Sequence, residues 1–202
     1  MPIRYTLVAL LFVSLLVSGC GNPDEKKFND LLASQNGIGV SLGATRTEAT
    51  AKVGQPFVRT SKLNGKVVEE SFIPAEVKAY ASDTPQLTLD YTDNALTRIL
   101  NSYRPFEKDP PQPDPPFKVM VLPGVGLGSR KSDFMNKLGQ PNSGALKDQW
   151  RFVGKDGRSI NVQALFTNKP DSNEPLCTTL VLTLAPKVAE QRGEQYEGKG
   201  KK

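Results

Sequence analysis

The feature that most limits what this chain can fold into is that it repeats itself. Residues 39–56 return as residues 124–141 in unbroken alignment: Gly39, Val40, Leu42, Gly43, Lys52, Gly54, Gln55 and Pro56 recur as Gly124, Val125, Leu127, Gly128, Lys137, Gly139, Gln140 and Pro141. Between these identities Thr47-Glu48 becomes Ser132-Asp133, and Val53 becomes Leu138. Such self-similarity marks two copies of one supersecondary unit. Each copy reads as a short helix with defined ends. Thr47 and Ser132 are the expected N-caps, because a hydroxyl there can accept from the unpaired amides of the first turn. Glu48 and Asp133 then meet the positive end of the helix dipole. Ala49 and Val53, like Phe134 and Leu138, stand four apart on one face that can dock onto a sheet. Gly54 and Gly139 are expected in the left-handed conformation past the helix end, and Pro56 and Pro141 stop its continuation. Gly124, Gly126 and Gly128 lack the spacing of a phosphate-cradling loop and are read as turn glycines.

Strands follow each helix. In the first copy these are Phe57 to Thr60, Lys66 to Ile73 after a turn at Asn64-Gly65, Gln86 to Thr92, and Leu96 to Leu100 after a turn at Asp93-Asn94. The second copy has Gln149 to Val153, a turn at Asp156-Gly157, Ser159 to Phe166, and Leu176 to Leu184. Alternation of apolar and polar residues gives each sheet one face for its helix. Ahead of the first copy, Asn22 and Pro23 mark a helix start, Phe28, Leu31 and Leu32 share a face, and Asn36-Gly37 ends it. The second copy has no matching helix; Phe117 to Leu122 reads as extended. The fold class is therefore α+β: two tandem units, each a short helix on a roughly three-stranded antiparallel sheet, with an extra N-terminal helix.

Six prolines in residues 105–116 favour an extended, semi-rigid spacer between the units. Residues 187–202 form a polar, charged tail expected to be disordered. The organisation is thus 1–19 leader, 20–105 first unit with leading helix, 106–117 linker, 118–186 second unit, and 187–202 tail.

The leader has a positive start at Arg4, an apolar run from Tyr5 to Val17, and small residues before Cys20. The run is shorter than the about 20 apolar residues that span a bilayer, and it fits a cleavable export signal. Removing it takes away only Arg4 among the charges and lowers the net charge from +5 to +4. That balance, without a basic block, gives no support for nucleic-acid binding. The chain has no histidine, so the usual general base and metal ligand are missing. Glu69 and Glu70 are adjacent on a strand, point to opposite faces and read as solvated surface. No catalytic set, cofactor or metal site is expected. Cys177, in a strand-like run, is expected to be a buried filler.

Val17-Ser18-Gly19-Cys20 resembles the bacterial lipobox, which implies that Cys20 is lipidated and becomes the mature N-terminus. Gly21 resembles outer-membrane routing in that sorting pattern, so the implied place is the outer membrane facing the periplasm, or the outer face of the plasma membrane in a host with one membrane. The capped helices Leu42-Gly43 to Pro56 and Leu127-Gly128 to Pro141, with Trp150-Arg151-Phe152 and the hairpin from Leu87 to Ile99, resemble the SmpA/BamE-like outer-membrane lipoproteins. The β-lactamase-inhibitor-protein fold has the same unit twice. The resemblance implies a tethered, non-enzymatic binding or scaffold module with an envelope protein partner. The alternative is an inhibitor of an exported enzyme, bound across a concave surface formed by the two sheets. Tyr80, Tyr91, Tyr103 and Trp150 are the candidate partner-binding anchors, with core packing as the competing reading for each. The lipid should place the first unit near the membrane, with the spacer holding the second farther out.

Overall fold

The computed structural model describes residues 22–36, 38–53, 59–72, 87–102, 119–143, 148–168 and 173–187. Cys20, Tyr80, Tyr103, the linker 106–117 and the tail beyond Lys187 lie outside them. The described residues form an α+β fold with three helices, α1 (Pro23–Ala33), α2 (Arg46–Val53) and α3 (Lys131–Leu138). Seven strands make one antiparallel sheet: β1 (Arg59–Leu63), β2 (Lys66–Phe72), β3 (Leu87–Thr92), β4 (Ala95–Ser102), β7 (Gln149–Val153), β8 (Ser159–Thr167) and β9 (Leu176–Ala185). Their order is β1-β2-β3-β4-β9-β8-β7, while β5 (Met120–Leu122) and β6 (Val125–Gly126) form a separate hairpin.

The expected pair of separate sheets is thus a single sheet. β4 and β9 hydrogen-bond edge to edge, with Leu100 opposite Val181. Each has an unpaired edge in its own half, and joining them removes two exposed edges at once. Nor does the second half stand away from the first on a spacer. α1, which precedes the first half in sequence, packs on β7 and β8 of the second. Phe28 lies so close to Gly154 that a Cβ there would fall 2.5 Å from its ring. Lys27 Nζ stands 5.5 Å from the Phe152 ring and donates to Leu138 O at 2.7 Å, at the negative end of α3. α1 therefore supplies the helix that the second repeat lacks.

Local signals explain most of the elements. Asn22 Oδ1 accepts from Asp24 N, with proline in the first turn, although α1 ends at Ala33, before Asn36. Asn64-Gly65 and Asp93-Asn94 close two-residue hairpins with positive φ at all four residues. Ala49 and Val53, and Phe134 and Leu138, are buried as expected.

The caps fall two residues earlier than expected. α2 starts at Arg46, where Thr45 N donates to Glu48 Oε2 at 2.8 Å and Glu48 N donates to Thr45 Oγ1 at 3.3 Å. The bonds that Thr45 N and Thr45 Oγ1 donate to Glu48 Oε2, both at 2.8 Å, hold the exposed Glu48 carboxyl below its ordinary value. In α3 the matching residue is Arg130, whose side chain has no acceptor, so only the reverse bond from Arg130 N to Asp133 Oδ2 remains. Thr45 and Arg130 are held extended by bridges to Ala95 and Leu176, which fixes the turn into the helix. Ser132 is freed from capping and donates to Glu174 Oε2 at 2.7 Å. Gly139 ends α3 at φ 88 and ψ −171, a glycine-only region rather than the left-handed helical one. Gly126, where the first copy has Ser41, is squeezed by β5: a Cβ would meet Val119 O and lie 2.7 Å from Met120 Cα. The first copy has no such hairpin at that point among the described residues, so serine fits there.

The two halves match in detail. Gly43 N donates to Leu96 O and Gly128 N to Cys177 O, both at 2.8 Å; Leu96 N returns to Ala44 O and Cys177 N to Ser129 O; Arg46 N meets Asn94 O and Lys131 N meets Pro175 O. Gly39 and Gly124, like Gly43 and Gly128, all have positive φ. Bulges leave Thr97 and Thr178 as the extra residues of β4 and β9. Thr97 bonds Thr92 and Asp90 O, and Thr178 likewise bonds Thr167 and Leu165 O.

Cys177 occupies the place that Leu96 holds in the first half, and it is fully buried. Burial pushes its thiol up to about 12, weakly opposed by a hydrogen bond with the Thr179 backbone. A thiol raised on folding stabilises the native state below its unfolded value of 9.0, and that contribution disappears as the pH rises through the folded value. Between pH 8 and about 10.5 the wild type should therefore lose about 2 kcal/mol that Cys177→Ala does not lose. Urea titrations of both chains at the two pH values would check this; parallel losses would contradict it.

Candidate functional site

The sheet has two unlike faces. The helices cover one, where Trp150, Val162, Leu182, Ile99 and Leu89 form a cross-strand row of the core. Among the described residues no helix or strand packs on the other face. That face is crossed from edge to edge by a polar row: Arg151, Asn161, Thr183, Arg98, Asp90, Glu69 and Ser61, one from each strand in register. A second row holds Gln149, Gln163, Val181, Leu100, Thr88 and Ser71. Leu100 and Val181 place a small apolar centre at the junction of the halves. Ser71 and Thr88 are buried, whereas every member of the first row keeps some exposure. Leu165 (54% exposed) and Val153 (43%) lie toward opposite ends of the same face.

Within the first row Arg98 Nη1 donates to Asp90 Oδ2 at 2.8 Å. This pair borders a groove of about 520 Å³ that Arg158, Thr183 and Pro186 also line. Among the described residues the side chains of Arg151 and Glu69 make no ion pair; Glu69 accepts only a long bond from Ser61, at 3.4 Å. A second groove, of about 940 Å³, runs along α1 above Met120 and Leu122. Lys26 and Lys27 on its rim are committed to Asp30 and to Leu138 O.

The helix side holds a buried polar cluster that sequence reasoning missed. Glu70 is fully buried, not solvated surface, and accepts from Arg46 Nε at 2.8 Å and Nη2 at 2.5 Å. The Tyr91 hydroxyl lies against this carboxylate, yet it and Glu70 Oε2 have no hydrogen-bond partner among the described residues. Burial first, and the negative Glu70 second, raise the Tyr91 hydroxyl well above its ordinary value of 10.0. The other half repeats the arrangement with Lys131 on Asp148 at 2.5 Å and 5.7 Å from the Phe166 ring. A cation in the first turn of each helix therefore latches onto a carboxylate of its own half, Glu70 within β2 and Asp148 just before β7. The signal in the sequence was the recurrence of a basic residue just before Thr47 and Ser132, at Arg46 and Lys131.

The two anchors among the described residues, Tyr91 and Trp150, lie in the core. Trp150 is fully buried, stacks on Phe134 at 5.9 Å between centroids, and donates from Nε1 to Gly139 O at 2.8 Å. Tyr91 is buried in the cluster just described. Both point away from the open face because their strand positions alternate toward the helices. Tyr80, Tyr103 and the lipidation candidate Cys20 lie outside the described residues. Among the described residues there is no group of three or more Cys, Asp or Glu that could hold a metal, and no helix long and apolar enough to cross a membrane.

The described residues define an α+β protein whose single large sheet carries its helices on one face. Neither known family models, nor curated proteins, nor solved structures give a match to the chain.

Proposed function

We propose that this chain is a lipid-anchored, non-enzymatic envelope protein that acts as a binding or scaffold module. In this reading it is built from two tandem copies of a unit like that of the SmpA/BamE-like lipoproteins, and Cys20 carries its membrane anchor on the periplasmic side of an outer membrane. The observation that carries the binding role is the helix-free face, whose polar rows span the joined sheet. The duplication is supported by the matched hydrogen bonds, bulges and ion-pair latches of the two halves. The alternative of an enzyme inhibitor asked for aromatic anchors at the centre of that face; Tyr91 and Trp150 lie in the core instead.

Two measurements test the proposal. Cys20→Ser should move the chain from the membrane to the soluble fraction, and retention on the membrane would remove the anchor from the account. A pulldown from detergent-solubilised membranes should recover a stoichiometric protein partner, including a second copy of the chain itself. Recovery of none would count against a binding module.

A further inference from the structure

Resting on that reading, we infer that the open face is self-complementary and takes a second copy of this chain, face to face. The first row is bipolar. Arg151 stands at the β7 end and Glu69 with Asp90 at the β2–β3 end, and Arg98 is already paired with Asp90. With the edge strand β1 left out, the midpoint of the six strands from β2 to β7 lies between β9 and β4, where Val181 and Leu100 pair in the neighbouring row. A two-fold axis parallel to the strands through that midpoint lays β7 of one copy over β2 of the other, β8 over β3, and β9 over β4. Arg151 then faces Glu69 of the second copy, Asn161 faces Asp90, and Thr183 faces Arg98. Leu100 and Val181 meet their counterparts at the centre. No like charges of this row oppose one another, which is what an isologous interface requires. An axis displaced by half a strand onto β4 would set Arg98 against Arg98, and one displaced onto β9 would set Arg151 against Asp90 but leave Glu69 without a counterpart, so the first arrangement uses the charges of the row most fully.

The size also suits a protein surface of this kind. Six strands about 4.8 Å apart and four rows about 7 Å apart give roughly 500 Å² per copy, somewhat less where Ser71 and Thr88 are buried. Two copies then bury roughly 1,000 Å², in the range of weak specific interfaces, so association should be reversible. Aligned packing of two sheets is an ordinary way to cover such a face.

The test is a charge exchange in the full chain, followed by sedimentation equilibrium in a density-matched detergent. Wild type at about 100 µM should reach the mass of two chains. Arg151→Glu puts a carboxylate opposite Glu69 and should weaken association at least about tenfold, as should Glu69→Arg. The double variant Arg151→Glu/Glu69→Arg restores opposite charges and should recover the dimer. Circular dichroism of each variant keeps a folding defect separate from a lost interface. A monomeric wild type, or a double variant no better than the single ones, overturns the inference. If Arg151→Glu releases a different envelope protein in the pulldown while the wild type is monomeric, self-association falls and the binding module stands.

Discussion

Trp150→Ala is expected to lower the free energy of unfolding by about 4 kcal/mol, the largest loss among the substitutions considered. The indole is fully buried, stacks on Phe134 of α3, and satisfies the Gly139 carbonyl where that helix ends. Truncation removes the apolar contact, opens a cavity between α3 and β7, and leaves the carbonyl without its donor. A domain of this size has a total stability of only about 5–15 kcal/mol, so the variant should be partly unfolded at modest urea concentrations. Trp150→Phe keeps most of the ring volume and should lose roughly half as much. Urea midpoints followed by circular dichroism would check both; a loss below about 1 kcal/mol for alanine would mean that Trp150 does not hold α3 to the sheet.

The second large effect is expected at the buried latch. Arg46→Leu should lower stability by about 3 kcal/mol, because Glu70 then lies fully buried without its cation. The double variant Arg46→Leu/Glu70→Leu should recover most of that loss, since two apolar side chains carry no uncompensated charge. Lys131→Leu should cost less, because Asp148 keeps some contact with solvent. A double-mutant cycle in urea would measure the coupling. Additive losses in the cycle would show that the pair does not act as a latch.

Much of the fold was legible because it is decided locally. The hairpins at Asn64-Gly65 and Asp93-Asn94, the capped start at Asn22-Pro23 and the alternation along β8 and β9 depend on neighbours a few residues away. The caps at Thr47 and Ser132 were misplaced because the turn into each helix is set by distant bridges, Thr45 to Ala95 and Arg130 to Leu176. Glu70 looked like surface for the same kind of reason. Its burial depends on Arg46, which reaches it across 24 residues of sequence. Of the candidate site, residue types and alternation were readable, but the sharing of one row by Arg151, Arg98 and Glu69 was not.

The repeat by itself marked residues 39–56 and 124–141 as stretches that would fold alike, each with a short helix whose apolar pair, Ala49 and Val53 or Phe134 and Leu138, faces the core. Tertiary structure alone decided how they combine. A strand's alternation says which side chains face the core but not which strand lies beside it, so only the folded chain could pair β4 with β9. The same pairing turned two short faces into one, and it let α1 cross from the start of the chain to cover the half that had no helix of its own.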